Sequence, residues 1–239
     1  MDQLQYRQFL SDPVALLNGP GNVREIRLDS TMVRDIPNTV SRTVHNPGAV
    51  PLHYQYSAAR VTPVTVRYDD TGIPPTSAVW VSRNAPAGAD YQRDRAYYLQ
   101  WATDQAYAIE LGFDAQLFFT AQLTGCGILI FTAPSRTIVV HHNVQVPPVP
   151  PSFFQQLFES AAARQQRNAA HSADVRMGTL HNLAQDIVAA TPDITRGTQL
   201  SVQQYGATAR VFGIKRDGGW RLFVNRLLGG TYRTELLYE

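Results

Sequence analysis

The chain has 239 residues, of which 44% are apolar and 17% charged, with a formal charge of +2 and a single cysteine. That length supports one large domain or two small ones, and no apolar run reaches the ~20 residues of a membrane span. One cysteine excludes an internal disulfide framework and a multi-cysteine metal site, while scattered basic residues and the lack of a GxxxxGK[ST] loop argue against nucleic-acid and phosphate-loop classes.

The opening MDQLQYRQFLSDPVALLNGPG has no basic start followed by an apolar block, so no Sec-type signal peptide is expected. Within it, SDPVALLNG reads as a short helix with Ser11 or Asp12 as N-cap, Pro13 in the first turn and Gly19 as stop. From NVREIRLD (22–29) the pattern turns to strands. LHYQYSAARV, PVTVRY, SAVWVS and RAYYLQWA follow, set off by Gly/Pro/Asp-rich turns. The stretch LFFTAQLTGCGILIFTAPSRTIVVHHNVQV (117–146) supplies at least two more.

VPPVPP (146–151) reads as a stiff connector. After it, Ser152 and Gln155 form a capping box ahead of FFQQLFESAAARQQR, whose Phe154, Leu157, Phe158 and Ala161 share one helical face. TLHNLAQDIVAA reads as a second helix, ended by Pro192 through its effect on Thr191. QLSVQQY and ARVFGIK return to strands, RDGG is a hairpin turn, and WRLFVNRLL and TYRTELLY complete the set. The order strands, helices, strands predicts a single α/β domain: a mixed β-sheet sandwich core with flanking helices.

Cys126 raises the functional question. Free cysteine is among the most buried residue types, so its plain reading is a core residue. Three local features point elsewhere. Gly125 and Gly127 flank it, which permits a sharp turn and close approach of a substrate. A backbone N–H at such a turn, around Thr124 and Gly125, can face a developing oxyanion. Finally, CGILIF and TIVVHH read as paired strands joined by TAPSR. A loop of Thr132–Ser135 sets Cys126 opposite His141; a loop of Ala133–Arg136 sets it opposite Asn143, with His141 diagonal on the same face. Directly opposed Cβ atoms lie about 4.5–5.5 Å apart and diagonal ones within about 8 Å, so either register lets the two side chains meet. His142 points to the other face, and a bulge or a three-residue loop reverses the parity. An imidazole beside a thiol can take its proton and later hand it to a leaving nitrogen. Thr120 is a candidate orienting group for that ring. The enzyme reading requires the sulfur and the His141 ring to share an open pocket.

LFFTAQLTGC followed by VVHHN resembles the cytotoxic-necrotizing-factor-like glutamine deamidase toxins, in particular their Burkholderia lethal factor branch. The family signature Leu-Ser-Gly-Cys stands here as Leu123-Thr124-Gly125-Cys126, a change that keeps the hydroxyl. YYLQWATDQAYAIELGFDAQ resembles the region leading into the signature, and QLSVQQYGAT is a weaker echo near the C-terminus. The resemblance is carried by residues near 97 to 146 and leaves residues 1–70 unassigned. It implies catalytic roles for Cys126, His141 and Thr120, no metal or organic cofactor, and a monomer that needs neither nucleic acid nor membrane. It further implies a secreted bacterial effector that deamidates a glutamine of a host protein in the host cytoplasm. The DEAD-box helicase of translation initiation is the first target it suggests and a Rho-family GTPase the second. A thiol protease or a transglutaminase would use the same acyl-enzyme chemistry. A non-catalytic β-rich binding module, with Cys126 as core, is the alternative of another class.

Overall fold

A computed structural model describes residues 1–19, 25–28, 32, 39–44, 52–57, 61–69, 78–84 and 91–239. In chain order the elements are α1 (Gln3–Ser11), α2 (Pro13–Leu17), β1 (Glu25–Leu28), β2 (Thr39–Val44), β3 (Leu52–Ser57), β4 (Val61–Asp69), β5 (Ala78–Ser82), β6 (Gln92–Leu99), β7 (Gln105–Leu111) and β8 (Leu117–Thr120). Then come β9 (Gly127–Ala133), β10 (Arg136–Asn143), α3 (Phe153–Phe158), α4 (Ala161–Ala190), β11 (Arg196–Leu200), α5 (Val202–Tyr205), β12 (Ala209–Arg216), β13 (Gly219–Leu228) and β14 (Thr231–Tyr238). Two mixed sheets result. One has the order β1-β5-β4-β6-β8-β12-β13-β14, the other β11-β9-β10-β7-β3-β2.

The buried side chains sort into three layers. Tyr97, Leu99 and Phe118 from the first sheet meet Tyr107, Ile128, Ile130 and Val139 from the second. The outer face of the first sheet is covered by α1 and α2 through Phe9, Leu16 and Leu17 against Val66, Phe119 and Phe212. The outer face of the second is covered by α4, whose Leu180, Leu183 and Ile187 rest on Leu129, Phe131 and Val140. This is the expected sandwich with flanking helices. GILIFTA and RTIVVHHN are buried almost throughout because both their faces are covered, one by the facing sheet and one by α4.

Local signals set several boundaries as read. Asp12 caps α2, its side chain accepting from the Ala15 N–H, with Pro13 at the helix start. The Ser152–Gln155 capping box is formed. Asp217 and Gly218 take positive φ of 52° and 84°, as a two-residue hairpin turn requires. Other expectations are corrected. FFQQLFESAAARQQR is not one helix: it breaks at Glu159, and Ser160 starts a new cap by accepting from the Ala163 N–H. Phe158, predicted on the apolar face, is 81% exposed. The new helix runs 30 residues without interruption to Ala190 and takes in the whole gap left between the two helices read from the sequence, His171 included. QLSVQQY is strand only to Leu200, after which Ser201 and Gln204 open the short α5. Helix α1 and strands β2 and β7 are elements the sequence pattern does not single out; α1 opens with a capping box from Asp2.

Candidate active site

Cys126 stands one residue ahead of β9, at the end of the sandwich where β6, β8 and β10 finish and β7 and β12 begin. Leu123 anchors the approach by exchanging backbone hydrogen bonds with Ala209 (2.7 and 3.1 Å). Gly125, at φ 103°, then turns the chain into the strand.

The β9–β10 ladder pairs Ala133 with Arg136 and Gly127 with His142. This is the second of the two registers: carried one residue further, it faces Cys126 with Asn143 and leaves His141 diagonal. His141 pairs with Ile128 on one side and Tyr107 on the other, and both belong to the inter-sheet core, as does Cys126. The nucleophile candidate and the first imidazole therefore face the same layer. Thr120 reaches it from the opposite sheet, two residues beyond Phe118 on β8. His142 faces α4, as parity demands: a Cβ on Gly127 would lie between its Nδ1 and the Leu180 methyls.

What the fold places on one layer it does not join by hydrogen bonds. Among the described residues, both ring nitrogens of His141 lack a hydrogen-bond partner. Thr120 Oγ1 accepts from the Val211 N–H at 3.1 Å, which leaves its own O–H free to donate, but no hydrogen bond joins it to the His141 ring in this conformation. The Gln100 backbone favours the protonated ring, yet falls outside hydrogen-bonding geometry to either nitrogen.

Nor is the pocket open. Cys126 is 6% exposed and His141 fully buried. The cavity beside Cys126 holds about 10 Å³, room for about one water and no amide side chain. The expectation of a shared open pocket is thus corrected: Met177 and Leu180 of α4 and the Ser201–Gln203 segment close over the loop. The lining of that cavity includes His142 and Arg176 and omits His141.

Burial sets the protonation states. It pushes the Cys126 thiol above its ordinary value, while the Thr124 backbone and the Arg176 charge pull it part of the way back. His141 is pushed down to about 3, by burial first and the neighbouring His142 second. His142 is pushed down to about 4, by burial and then by Arg176. The resting pair is a neutral thiol and a neutral imidazole, not an ion pair. Neutral imidazole is the form that can accept a proton.

Two side chains distant in sequence hold the cysteine loop. The Tyr205 hydroxyl accepts from the Gly125 N–H and donates to the Cys126 carbonyl, both at 2.8 Å. Arg176 donates from Nη1 to the Gly125 carbonyl (2.9 Å) and from Nε to the Val144 carbonyl (3.2 Å). The Gly125 N–H is therefore already committed and is not the free oxyanion donor expected of it. The Cys126 N–H has no partner among the described residues. Tyr205→Phe removes both hydroxyl contacts, and urea unfolding is expected to show a loss of about 1–3 kcal/mol.

Sequence reasoning missed Arg176 and Tyr205, which lie 51 and 79 residues from the atoms they hold. Gln122 and Asn143 are near the loop but bond to Thr208 Oγ1 and the Ala102 carbonyl. Arg136 sits at the far hairpin turn, paired with Glu110 and Asp193. A cleft of about 370 Å³ beside Lys215 and Asp94 also lies at that far end. His181 is exposed against Gln185. His45 falls outside the described residues, as does the side chain of His53. Among the described residues no three His, Cys, Asp or Glu side chains converge to hold a metal ion.

No family model matches the chain, and no curated protein does. Among solved structures, the C-terminal domain of CNFy from Yersinia pseudotuberculosis is similar at a TM-score of 0.43 and 10% identity, covering 99% of this chain and 97% of that one.

Proposed function

We propose that this chain is a cysteine-dependent protein-glutamine deamidase. The observation that carries the reading is His141: a fully buried imidazole whose two nitrogens have no hydrogen-bond partner among the described residues, facing the same layer as the lone cysteine. A buried polar group without partners is costly and calls for a reason, and a proton to be taken from Cys126 supplies one. The Thr124-Gly125-Cys126 motif and the Thr120 and His141 positions support it by resemblance.

His141 takes the thiol proton, and the Cys126 sulfur attacks the side-chain amide carbon of a target glutamine. The oxyanion is held by local backbone N–H. As the C–N bond breaks, the imidazolium protonates the departing ammonia and a thioester remains. His141 then deprotonates a water that attacks the thioester, the C–S bond breaks, and the thiol is restored beside a new glutamate. The resting structure does not meet the open-pocket condition, so the deamidase reading requires the α4 and Ser201–Gln203 segments to move off the cysteine loop before an amide can enter. The product carries a negative charge where a neutral amide stood, enough to disable a glutamine that positions water or an interface. By the motif resemblance the first target is the DEAD-box helicase of translation initiation in a host cytoplasm, and the second a Rho-family GTPase.

Peptide mapping of host lysate treated with wild type and with Cys126→Ser tests this. A glutamine converted to glutamate only by wild type is the expected result; chain cleavage or amine incorporation would point to a protease or a transglutaminase. The burial of Cys126 in the core favours one other reading, a non-catalytic module. Biological activity untouched in Cys126→Ser would establish that alternative.

A further inference from the structure

We propose that Arg176 is a positioning residue of the Cys126 site: from α4 it fixes the Gly125–Cys126 peptide so that the Cys126 N–H is presented as the oxyanion donor. The inference rests on the reading of Cys126 as nucleophile. Its guanidinium spans two carbonyls, Gly125 before the cysteine and Val144 after the histidine pair, and so ties the start of β9 to the end of β10 through the helix. In a trans peptide the carbonyl and the following N–H point in opposite directions. Seating the Gly125 carbonyl on Arg176 therefore turns the Cys126 N–H away from the guanidinium, and that N–H donates to no described group. A preorganised, unspent donor at the nucleophile is what a tetrahedral intermediate needs.

The motif glycine fits the same arrangement. A Cβ at position 125 would stand 2.4 Å from Arg176 Nη1, and the φ of 103° is one that L side chains rarely adopt. Glycine at 125 is thus required twice, once for the turn and once to let the guanidinium reach the carbonyl. Arg176 is also the cation beside the thiol. The other groups facing that region are Tyr205 from α5, His141 and His142 from β10 and the Thr124 backbone. Of these, only Arg176 is positively charged while both rings are neutral.

The test uses the full chain with Arg176→Gln and Arg176→Lys, and iodoacetamide as a substrate-free probe of Cys126, which like an amide side chain reaches the sulfur when the loop opens, read by intact mass across pH. Removing the charge is expected to move the midpoint of the alkylation profile alkaline by about one unit, with Arg176→Lys restoring most of the shift. In the deamidation assay Arg176→Gln is expected to lower kcat about 10- to 100-fold while KM stays within about threefold, as befits a group felt in the transition state. Profiles that superimpose on wild type, or a kcat loss that merely follows the fraction unfolded, would reduce Arg176 to a helix clamp. Failure of the deamidase reading looks different: wild type itself would convert no glutamine, whatever the alkylation profile does.

Discussion

Cys126→Ser and His141→Ala are each expected to bring deamidation to background, and the double variant to be no worse than either alone. The serine hydroxyl is a far poorer nucleophile than a thiol, and without His141 neither the attack nor the departure of ammonia has a proton carrier. General acid–base catalysis contributes about 10²–10⁴-fold, so His141→Ala is expected to lose at least that in kcat/KM. Groups that act as one unit lose their effect together, which is why the two losses should not multiply. His142→Ala is the decisive companion. Its ring faces α4 and packs with Leu180 and Gly127. Its removal is expected to cost stability and to leave kcat within about tenfold once the folded fraction is accounted for. Initial rates on a purified target, with near-UV circular dichroism to confirm packing, separate the cases. A dead His142→Ala beside an active His141→Ala would move the base to the ring that lines the small cavity and overturn the parity argument.

That argument was legible in the sequence because period two is robust where both faces of a strand are buried. The two loops considered for TAPSR differ by two in register sum, so both put His141 on the face of Cys126, and the observed pairing of Thr132 with Thr137 is one of them. Turn and cap chemistry was equally readable at Asp217–Gly218, Asp12 and Ser152–Gln155, where the signal is local. The solvated part of α4 was readable only in pieces. Residues 161–178 carry little apolar periodicity because they have nothing to bury, so 161–167 read as helix only as the tail of the preceding segment, 168–178 went unread, and the helix showed again where Leu180, Leu183 and Ile187 meet the sheet. In QLSVQQY a strand-like alternation hid a cap, Ser201 with Gln204, that starts a helix one residue after the strand ends. The hardest features to read were Arg176 and Tyr205. Each acts on backbone atoms, and such a contact has no residue-type signature in a linear sequence. The closure of the pocket was hidden for the same reason: it is made by α4 and α5 packing over a loop far from them in sequence.

Mild acid is expected to unfold this protein, and the two adjacent histidines are the cause. Unfolded imidazole titrates near 6.5, whereas in the folded chain His141 stays neutral to about 3 and His142 to about 4. Between these limits the unfolded state holds more protons than the native one, so stability rises with pH and is lost as pH falls from about 6.5. Each histidine contributes a slope of about 1.4 kcal/mol per pH unit, and the pair about 2.7. A descent from pH 6.5 to 4.5 therefore costs on the order of 4–5 kcal/mol, comparable with the whole stability of many domains. The two rings also repel once either is charged, which sharpens the transition. Urea midpoints measured at half-unit steps should trace that slope. The double variant His141→Gln/His142→Leu should flatten it, because neither replacement titrates and the leucine packs with the apolar side chains that α4 presents to the sheet. An equally steep fall in the double variant would show that the acid sensitivity resides elsewhere and that the rings are not held neutral in the native core. Retention of the slope by Arg176→Gln, with a somewhat higher His142 midpoint, is the corresponding expectation for the cation that helps to hold His142 neutral.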